Sequence, residues 1–172
     1  ENEIHFSSPT FTNINLPPTR RKGIELDWSA PVSSGVSVFA NIAAVDAKFR
    51  DGQLGGVNLK GKSIPLVPRE KASLGASWAF LENSRLNAVI THVGKQRYDN
   101  DQANTFPTLM PGYETVDLKL SHKMRDVTLR ASIINLFDRN YYSYGIRNAA
   151  GTSFNAYPQA GRTVLVAMEF SM

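Results

Sequence analysis

Apolar and polar residues alternate with a period of two along most of the chain, and a helical period is weak throughout. From Lys22 to Ala30 the even positions are Lys22, Ile24, Leu26, Trp28 and Ala30, and the odd positions are Gly23, Glu25, Asp27 and Ser29. One face is mostly apolar and the other polar, as in a two-faced strand. The pattern sets Val36, Val38, Ala40, Ile42 and Ala44 against Ser37 and Asn41. It sets Ala72, Leu74, Ala76, Trp78 and Phe80 against Ser73, Gly75, Ser77 and Ala79. Leu86, Ala88 and Ile90 oppose Arg85, Asn87 and Thr91, with Val89 off the pattern. Val116, Leu118 and Leu120 oppose Thr115, Asp117, Lys119 and Ser121. Val127, Leu129, Ala131 and Ile133 oppose Thr128, Arg130 and Ser132. Val164, Val166, Met168, Phe170 and Met172 oppose Thr163, Ala167, Glu169 and Ser171. The chain therefore reads as all-β with seven predicted strands, and Glu1 to Phe6 as the end of an eighth.

The connections alternate in length. Pro31–Gly35, Leu81–Ser84 and Met124–Asp126 are short, whereas Arg50–Val67, Asn100–Pro111 and Asp138–Gly161 are long. Tight turns at one end and long loops at the other are the mark of an antiparallel up-and-down β-barrel crossing an outer membrane. Aromatics fall at strand ends: Trp28, Trp78 and Phe80 beside short turns, and Phe49, Tyr98, Tyr113, Phe137, Tyr141 and Tyr142 near long loops. Two such bands are expected at the two lipid interfaces. Glu25, Asp27, Arg85, Asp117, Lys119 and Arg130 sit opposite the apolar faces. They suit a hydrated or plugged lumen if the apolar face meets lipid, or a solvent face if it covers a soluble core. Loop alternation and aromatic placement favour lipid.

Composition narrows this reading without redirecting it. At 172 residues the chain is one domain or a piece of a larger one. Cysteine is absent, which excludes disulfides and thiolate chemistry. The net charge of +4 is spread along the chain with no basic block, so nucleic acid is not an expected partner. No apolar run is long enough for a transmembrane helix, and strands of about 9–11 residues escape that test. The start at Glu1 does not read as a signal peptide, so either the mature chain begins there or more residues precede it.

Several segments carry a resemblance. Asn135-Leu136-Phe137-Asp138 followed by Tyr141-Tyr142 resembles the NLFD-x-x-Y motif near the end of TonB-dependent receptors. Tyr157-Pro158-Gln159-Ala160-Gly161-Arg162-Thr163 resembles their Y-P-x-P-G-R-T motif, with Ala160 in place of the second proline. Thr19 to Glu25 is similar to their T-R-x-x-G-x-E strand start, and Pro68-Arg69 and Gly112-Tyr113 to other strand starts. Their order and spacing match along nearly the whole chain. The final Met172, with Phe170 two before it, departs from the aromatic end that barrel assembly machinery reads in such proteins.

The resemblance implies that residues 1–172 are the C-terminal portion, about eight strands, of a barrel of about 22 strands. It implies a plug domain and a TonB-contacting segment outside this chain. The implied function is active import across the outer membrane of a Gram-negative cell, driven by the TonB-ExbB-ExbD complex through the plug. A ferric siderophore is the expected cargo, with haem, cobalamin or another cofactor as alternatives. Outer-membrane lipid, an iron-siderophore ligand and the barrel assembly machinery are the implied partners. No resident cofactor and no enzymatic activity are expected. Two other readings stand beside this one: a self-contained eight-stranded adhesin or binding module, and a soluble sandwich or lipocalin-like binder.

Catalytic signals are weak. His5, His92 and His122 lie far apart, and Asp99, Asn100 and Asp101 lack the glycine and distal glutamate of a calcium loop. No nucleophile elbow, phosphate loop or zinc spacing occurs. The resemblance places ligand contacts on outer loops, with Arg97, Tyr98, Asp99 and Asn100 on one and Tyr142, Tyr144, Arg147 and Asn148 on another. Arginine and tyrosine suit an anionic, aromatic chelate. Asn135 and Asp138 can bond backbone as a strand ends; Pro158 fixes a dihedral and Gly161 permits tight re-entry. With Leu136, Phe137, Tyr157 and Arg162 these read as structural. A cut barrel would leave its first and last strands unpaired, which lipid does not tolerate. The segment alone is therefore expected not to be a stable transporter. Recovery of it alone as a well-folded monomer would contradict that expectation.

Overall fold

The computed structural model describes residues 3–7 and 10–171, which form strands and turns and no helix. Seven long strands make one antiparallel sheet. In chain order the elements are β1 (Ile4–Ser7), β2 (Thr12–Asn15), β3 (Thr19–Ser33), β4 (Val36–Phe49), β5 (Gln53–Leu54), β6 (Val57–Asn58) and β7 (Glu70–Leu81). They continue with β8 (Ser84–Val93), β9 (Tyr113–Met124), β10 (Val127–Ile134), β11 (Tyr142–Arg147), β12 (Phe154–Pro158) and β13 (Thr163–Phe170). The sheet order is β13-β10-β9-β8-β7-β4-β3, so each long strand lies beside its sequence neighbours among the long strands, with β3 and β13 outermost. The described strands form an open sheet. The seven predicted strands are these seven.

The register carries the alternation across the whole sheet. Leu26 faces Ile42, Ile42 faces Ala72, Leu74 faces Ile90, and Ile90 faces Val116. Leu118 faces Ile133, and Ile133 faces Val164. Each apolar set predicted for one strand thus meets the set of the next on the same side. A slip of one residue in any pair would turn a strand's apolar row to the other face. The resulting face is continuous and open: Ile24, Leu26, Trp28, Leu74, Trp78, Ile90, Val166 and Phe170 are all exposed. A soluble protein does not present so broad an apolar surface.

The opposite face is polar. Asp27 accepts from the Asn41 side-chain amide, and Asn41 in turn faces Ser73, which faces Thr91. Arg130 and Glu169 form an ion pair across β10 and β13 at 2.7 Å. One local exception is built by size. Phe39 on β4 faces Gly75 on β7, and a Cβ on Gly75 would collide with the Phe39 ring. The glycine leaves the hollow in which the ring lies, and Val89 follows on the next strand. This places Val89 on the polar face, off the apolar series of β8.

Short turns of two residues close one end: Ser34-Gly35, Glu82-Asn83 and Arg125-Asp126. Trp78 and Phe80 meet near that end with ring centroids 5.4 Å apart. The other end carries residues 50–69, 94–112 and 135–162. Two expectations need correction here. The opening segment is not part of the wall. Ile4–Ser7 pairs with Thr12–Asn15 in a separate two-stranded ribbon, because β2 supplies a partner eight or so residues on and leaves β3 as the outermost wall strand. Glu1, Asn2 and Met172 lie outside the described residues. Secondly, Phe49 and Tyr98 belong to no outward aromatic band. They are 1% and 2% exposed, because the long connections fold back and bury them. Those connections are not plain loops either. β5 pairs β6, and β11 pairs β12.

The two faces differ sharply in what they tolerate. In the full-length protein, Leu74→Arg is expected to destabilise the barrel by about 2–4 kcal/mol, the cost of a cation on a lipid face. Ser73→Arg, one residue away on the polar face, should cost much less. Refolding into lipid vesicles against denaturant checks this, and equal costs would contradict the facing.

Candidate functional site

The turn-free end of the sheet holds two constructions, one structural and one concave. The first is a clasp between the Asn135–Asp138 and Gly161–Arg162 segments. Asn135 ends β10 in a left-handed conformation (φ 54°) and is buried. Its backbone N–H donates to the Asp117 carboxylate at 2.8 Å. Its side chain donates to the carbonyls of Arg139 at 2.9 Å and Ala160 at 3.4 Å, and accepts from the Arg139 N–H at 2.9 Å. Asp138, also left-handed (φ 53°), accepts from the Arg162 N–H at 2.7 Å. Leu136 donates to the Val116 carbonyl at 2.8 Å, and its own carbonyl receives the Arg162 guanidinium at 3.5 Å. A Cβ on Gly161 would stand 2.6 Å from the Asp138 carboxylate oxygen. The two motifs therefore belong together: hydrogen bonds run in both directions between them, and Gly161 leaves room for the Asp138 carboxylate. Phe137 is exposed, and Tyr157 lies against Tyr144 with centroids 5.2 Å apart. Pro158 faces Tyr142 at the start of the β11–β12 pairing.

The second construction is the cap made by the long connections. Both candidate ligand groups lie in it, brought side by side. Asp99 pairs with Ile146 in a parallel bridge, through the Asp99 N–H to the Gly145 carbonyl and the Arg147 N–H to the Asp99 carbonyl. The Tyr98 hydroxyl meets that of Tyr142 at 2.9 Å, and the Tyr144 hydroxyl donates to Asp99 at 2.6 Å. Tyr98 packs on Phe106 and Phe154, with ring centroids 5.2 and 4.5 Å away. Burial pushes the Tyr98 and Tyr144 hydroxyls well above the usual phenol range, reinforced by Tyr142 in the first case and Asp99 in the second. The Tyr144 hydroxyl stays protonated as the donor to Asp99. Asn148 caps the β11–β12 turn, bonding Thr152 at 2.9 and 3.0 Å.

Asp101 is the buried hub of the 94–112 connection. It accepts from the N–H groups of Thr105 and Phe106 at 2.9 and 3.1 Å and from the Arg97 guanidinium at 3.1 Å. Arg97 also donates to the Phe106 carbonyl at 3.0 Å. Asn104 ties this connection to the 50–69 connection by exchanging bonds of 2.7 and 2.9 Å with the Ser63 backbone. Leu59, Ile64, Phe49 and Leu16 fill the core beneath. The sequence reading omitted Asp101, Phe106 and Phe154 from the site, because nothing local separates a buried loop residue from a solvated one. His5, on the β1–β2 ribbon, reaches the 94–112 connection. Its ring nitrogen Nε2 lies 2.9 Å from the Asn100 amide oxygen and 2.8 Å from the Gln102 amide nitrogen. His92 pairs with Glu114 at 3.0 Å, and His122 with the Ser84 hydroxyl at 2.7 Å.

Two cavities in the cap are lined by candidate ligand residues. One of about 630 Å³ lies between the outer strand ends and is lined by Arg69, Glu70, Lys95, Arg97, Tyr113 and Arg139, among others. The other, of about 360 Å³, includes His5, Asn100, Gln102, Arg147 and Asn148. Of the eight candidate ligand residues, Arg97 lines the first and Asn100, Arg147 and Asn148 the second. Tyr98, Asp99, Tyr142 and Tyr144 serve contacts within the cap.

The β1–β2 ribbon is anchored to the wall by one carboxylate. Glu3 accepts from both Arg21 guanidinium nitrogens, at 2.6 and 2.9 Å, and from the Thr19 hydroxyl at 2.6 Å. The Arg21 bonds hold the Glu3 carboxyl down to about 2, against burial that pushes it up and with help from Thr19.

The chain was compared with known proteins. The family described as "TonB dependent receptor-like, beta-barrel" matches residues 1–136. The metal-pseudopaline receptor CntO of Pseudomonas aeruginosa is 26% identical over 135 residues, 75% of this chain and 18% of its own length. The pesticin receptor of Yersinia enterocolitica is 30% identical over 149 residues, 83% of this chain and 20% of its own. The chain thus spans about a fifth of these relatives. Among solved structures, the ferric yersiniabactin uptake receptor FyuA from Yersinia pestis superposes with a TM-score of 0.74 at 23% identity, covering 92% of this chain and 24% of that one.

Two outcomes follow from this geometry. Gly161→Ala should weaken the clasp by about 1–3 kcal/mol, since its methyl displaces Asp138 from the Arg162 N–H. Adding Asp138→Ala should cost less in that background than in the wild type, a coupling that a double-mutant cycle in heat-modifiable migration detects. For Glu3, the folded value lies below the unfolded one. Its contribution is therefore present above about pH 4.5 and lost as pH falls toward 2. Protease protection of the paired residues 4–7 and 12–15 should fall across that window, and Arg21→Gln should expose them at neutral pH. Unchanged protection in Arg21→Gln would contradict the anchor.

Proposed function

Because the chain belongs to the TonB-dependent receptor-like β-barrel family, we propose that it supplies wall and outer loops to an importer in the outer membrane of a Gram-negative cell. The cargo is a scarce metal held in a chelate, with a ferric siderophore as the first choice. Energy arrives from the inner membrane through TonB, by way of a plug domain carried elsewhere in the full-length protein. Two relatives support the cargo class, being receptors for metal-pseudopaline and ferric yersiniabactin.

The observation that carries the reading is the apolar face over seven strands, capped at one end by long connections with cavities between them. A wall with one face in lipid and the other lining a lumen uses both faces at once. In the complete barrel, β3 and β13 pair with strands outside this chain, which satisfies their outer backbone groups. Arg97, Asn100, Arg147 and Asn148 face the cargo from the cavities. Tyr98, Asp99, Tyr142 and Tyr144 hold the surface that presents them.

Deleting the whole gene tests this. Under iron limitation the deletion strain should lose uptake of at least one radiolabelled ferric siderophore, and a strain lacking TonB should lose the same uptake. Undiminished uptake across siderophores, haem and cobalamin would overturn the importer reading.

A further inference from the structure

Four connections that leave the sheet at different places meet around the smaller cavity. The β1–β2 ribbon brings His5, the β8–β9 connection brings Asn100 and Gln102, and the β11–β12 hairpin ends its first strand at Arg147. The β5–β6 hairpin adds an apolar wall through Leu54 and Val57. At about 360 Å³ the cavity lies in the range of small-molecule pockets.

Hydrogen bonding around it is unevenly distributed. The two nearby carboxylates are occupied. Asp101 holds two backbone amides and Arg97, and Asp99 holds the Tyr144 hydroxyl and the Asn100 N–H. Arg147 forms an ion pair with Asp101 at 3.9 Å, too long for a hydrogen bond, so its N–H donors are not taken up by that carboxylate. One of its terminal nitrogens donates to the Thr105 hydroxyl at 3.1 Å. Its Nε–H is buried and finds no acceptor among the described residues. A buried donor left without an acceptor carries a desolvation cost that an incoming acceptor relieves. Guanidinium donors form a planar fork that matches a carboxylate. Asp99 and Asp101 nearby disfavour a compact dianion such as phosphate, while a single carboxylate asks for one guanidinium; the His5 ring is already engaged by Asn100 and Gln102.

We propose that this cavity binds a carboxylate-bearing ligand, with the carboxylate on Arg147 and the apolar remainder against Leu54 and Val57. The inference rests on the importer reading in one respect: the carboxylate then belongs to the cargo chelate.

The full-length protein in detergent, probed by equilibrium dialysis, tests it. The probes are salicylate, its uncharged isostere salicylamide, and inorganic phosphate. Salicylate should bind about tenfold or more tightly than salicylamide, and Arg147→Gln should lose that preference, a loss of one charge-assisted pair. Arg147→Lys, which keeps the charge and loses the fork, should fall between. Lys60→Gln, exposed and outside the cavity, should match the wild type. If Arg147→Gln fails to assemble by heat-modifiable migration, the salicylate/salicylamide ratio in the wild type and in Arg147→Lys decides. Equal binding of the two, preference for phosphate, no binding of any probe, or unchanged binding in Arg147→Gln overturns the proposal. Arg147-dependent salicylate binding without chelate uptake would keep the site and remove the importer. Chelate uptake without such binding would do the reverse.

Discussion

In lipid, a strand must find all its backbone partners on neighbouring strands, because no water is present to replace them. That constraint organises everything else in this chain. It fixes the seven long strands in one meander, each paired with its neighbours from β3 to β13. It also couples register to chemistry. Once Leu26 faces Ile42 and Leu74 faces Ile90, the apolar rows lie on one side and Asp27, Asp117, Lys119 and Arg130 on the other. The same constraint explains why β10 does not simply end. Asn135 and Asp138 take over where the ladder stops, bonding backbone groups that would otherwise be left open.

Beyond the lipid the constraint relaxes, and the chain behaves as a globular protein. The long connections have their own cores, around Leu59 and Phe49 in one case and Tyr98, Phe106 and Met110 in the other. They also have a buried charged hub at Asp101. The wall is thus stabilised by pairing and lipid, the cap by packing. Cavities belong to the second regime, where side chains from several connections leave space between them.

This division sets how much was legible in the sequence. The wall could be read almost completely, because a period of two is a local signal and lipid enforces it on every strand. Ile4 to Phe6 carried the same alternation, and only its partner, Thr12–Asn15, shows that it lies outside the sheet. Pairing choice is not a local property. Arg97, Asn100, Arg147 and Asn148 were visible as residue types, but their convergence depends on contacts across 42 or more residues, such as Arg147 with Thr105 and Tyr144 with Asp99. His5 reaches Asn100 across 95 residues, a juxtaposition no periodicity encodes. Phe49 and Tyr98 looked like interface aromatics because burial under a folded-back loop leaves no mark on the flanking sequence.

The central claim is that one face of the sheet meets lipid while the other does not, and β8 tests it most directly. Spin labels placed singly at Leu86, Ala88 and Ile90, and at Asn87, Val89 and Thr91, in the full-length protein in membranes, would be read for collision with oxygen and with a water-soluble nickel chelate. The first set should collide with oxygen and be shielded from nickel, and the second should show the opposite, alternating residue by residue. Equal access of the nickel chelate to both sets would contradict a wall in the membrane.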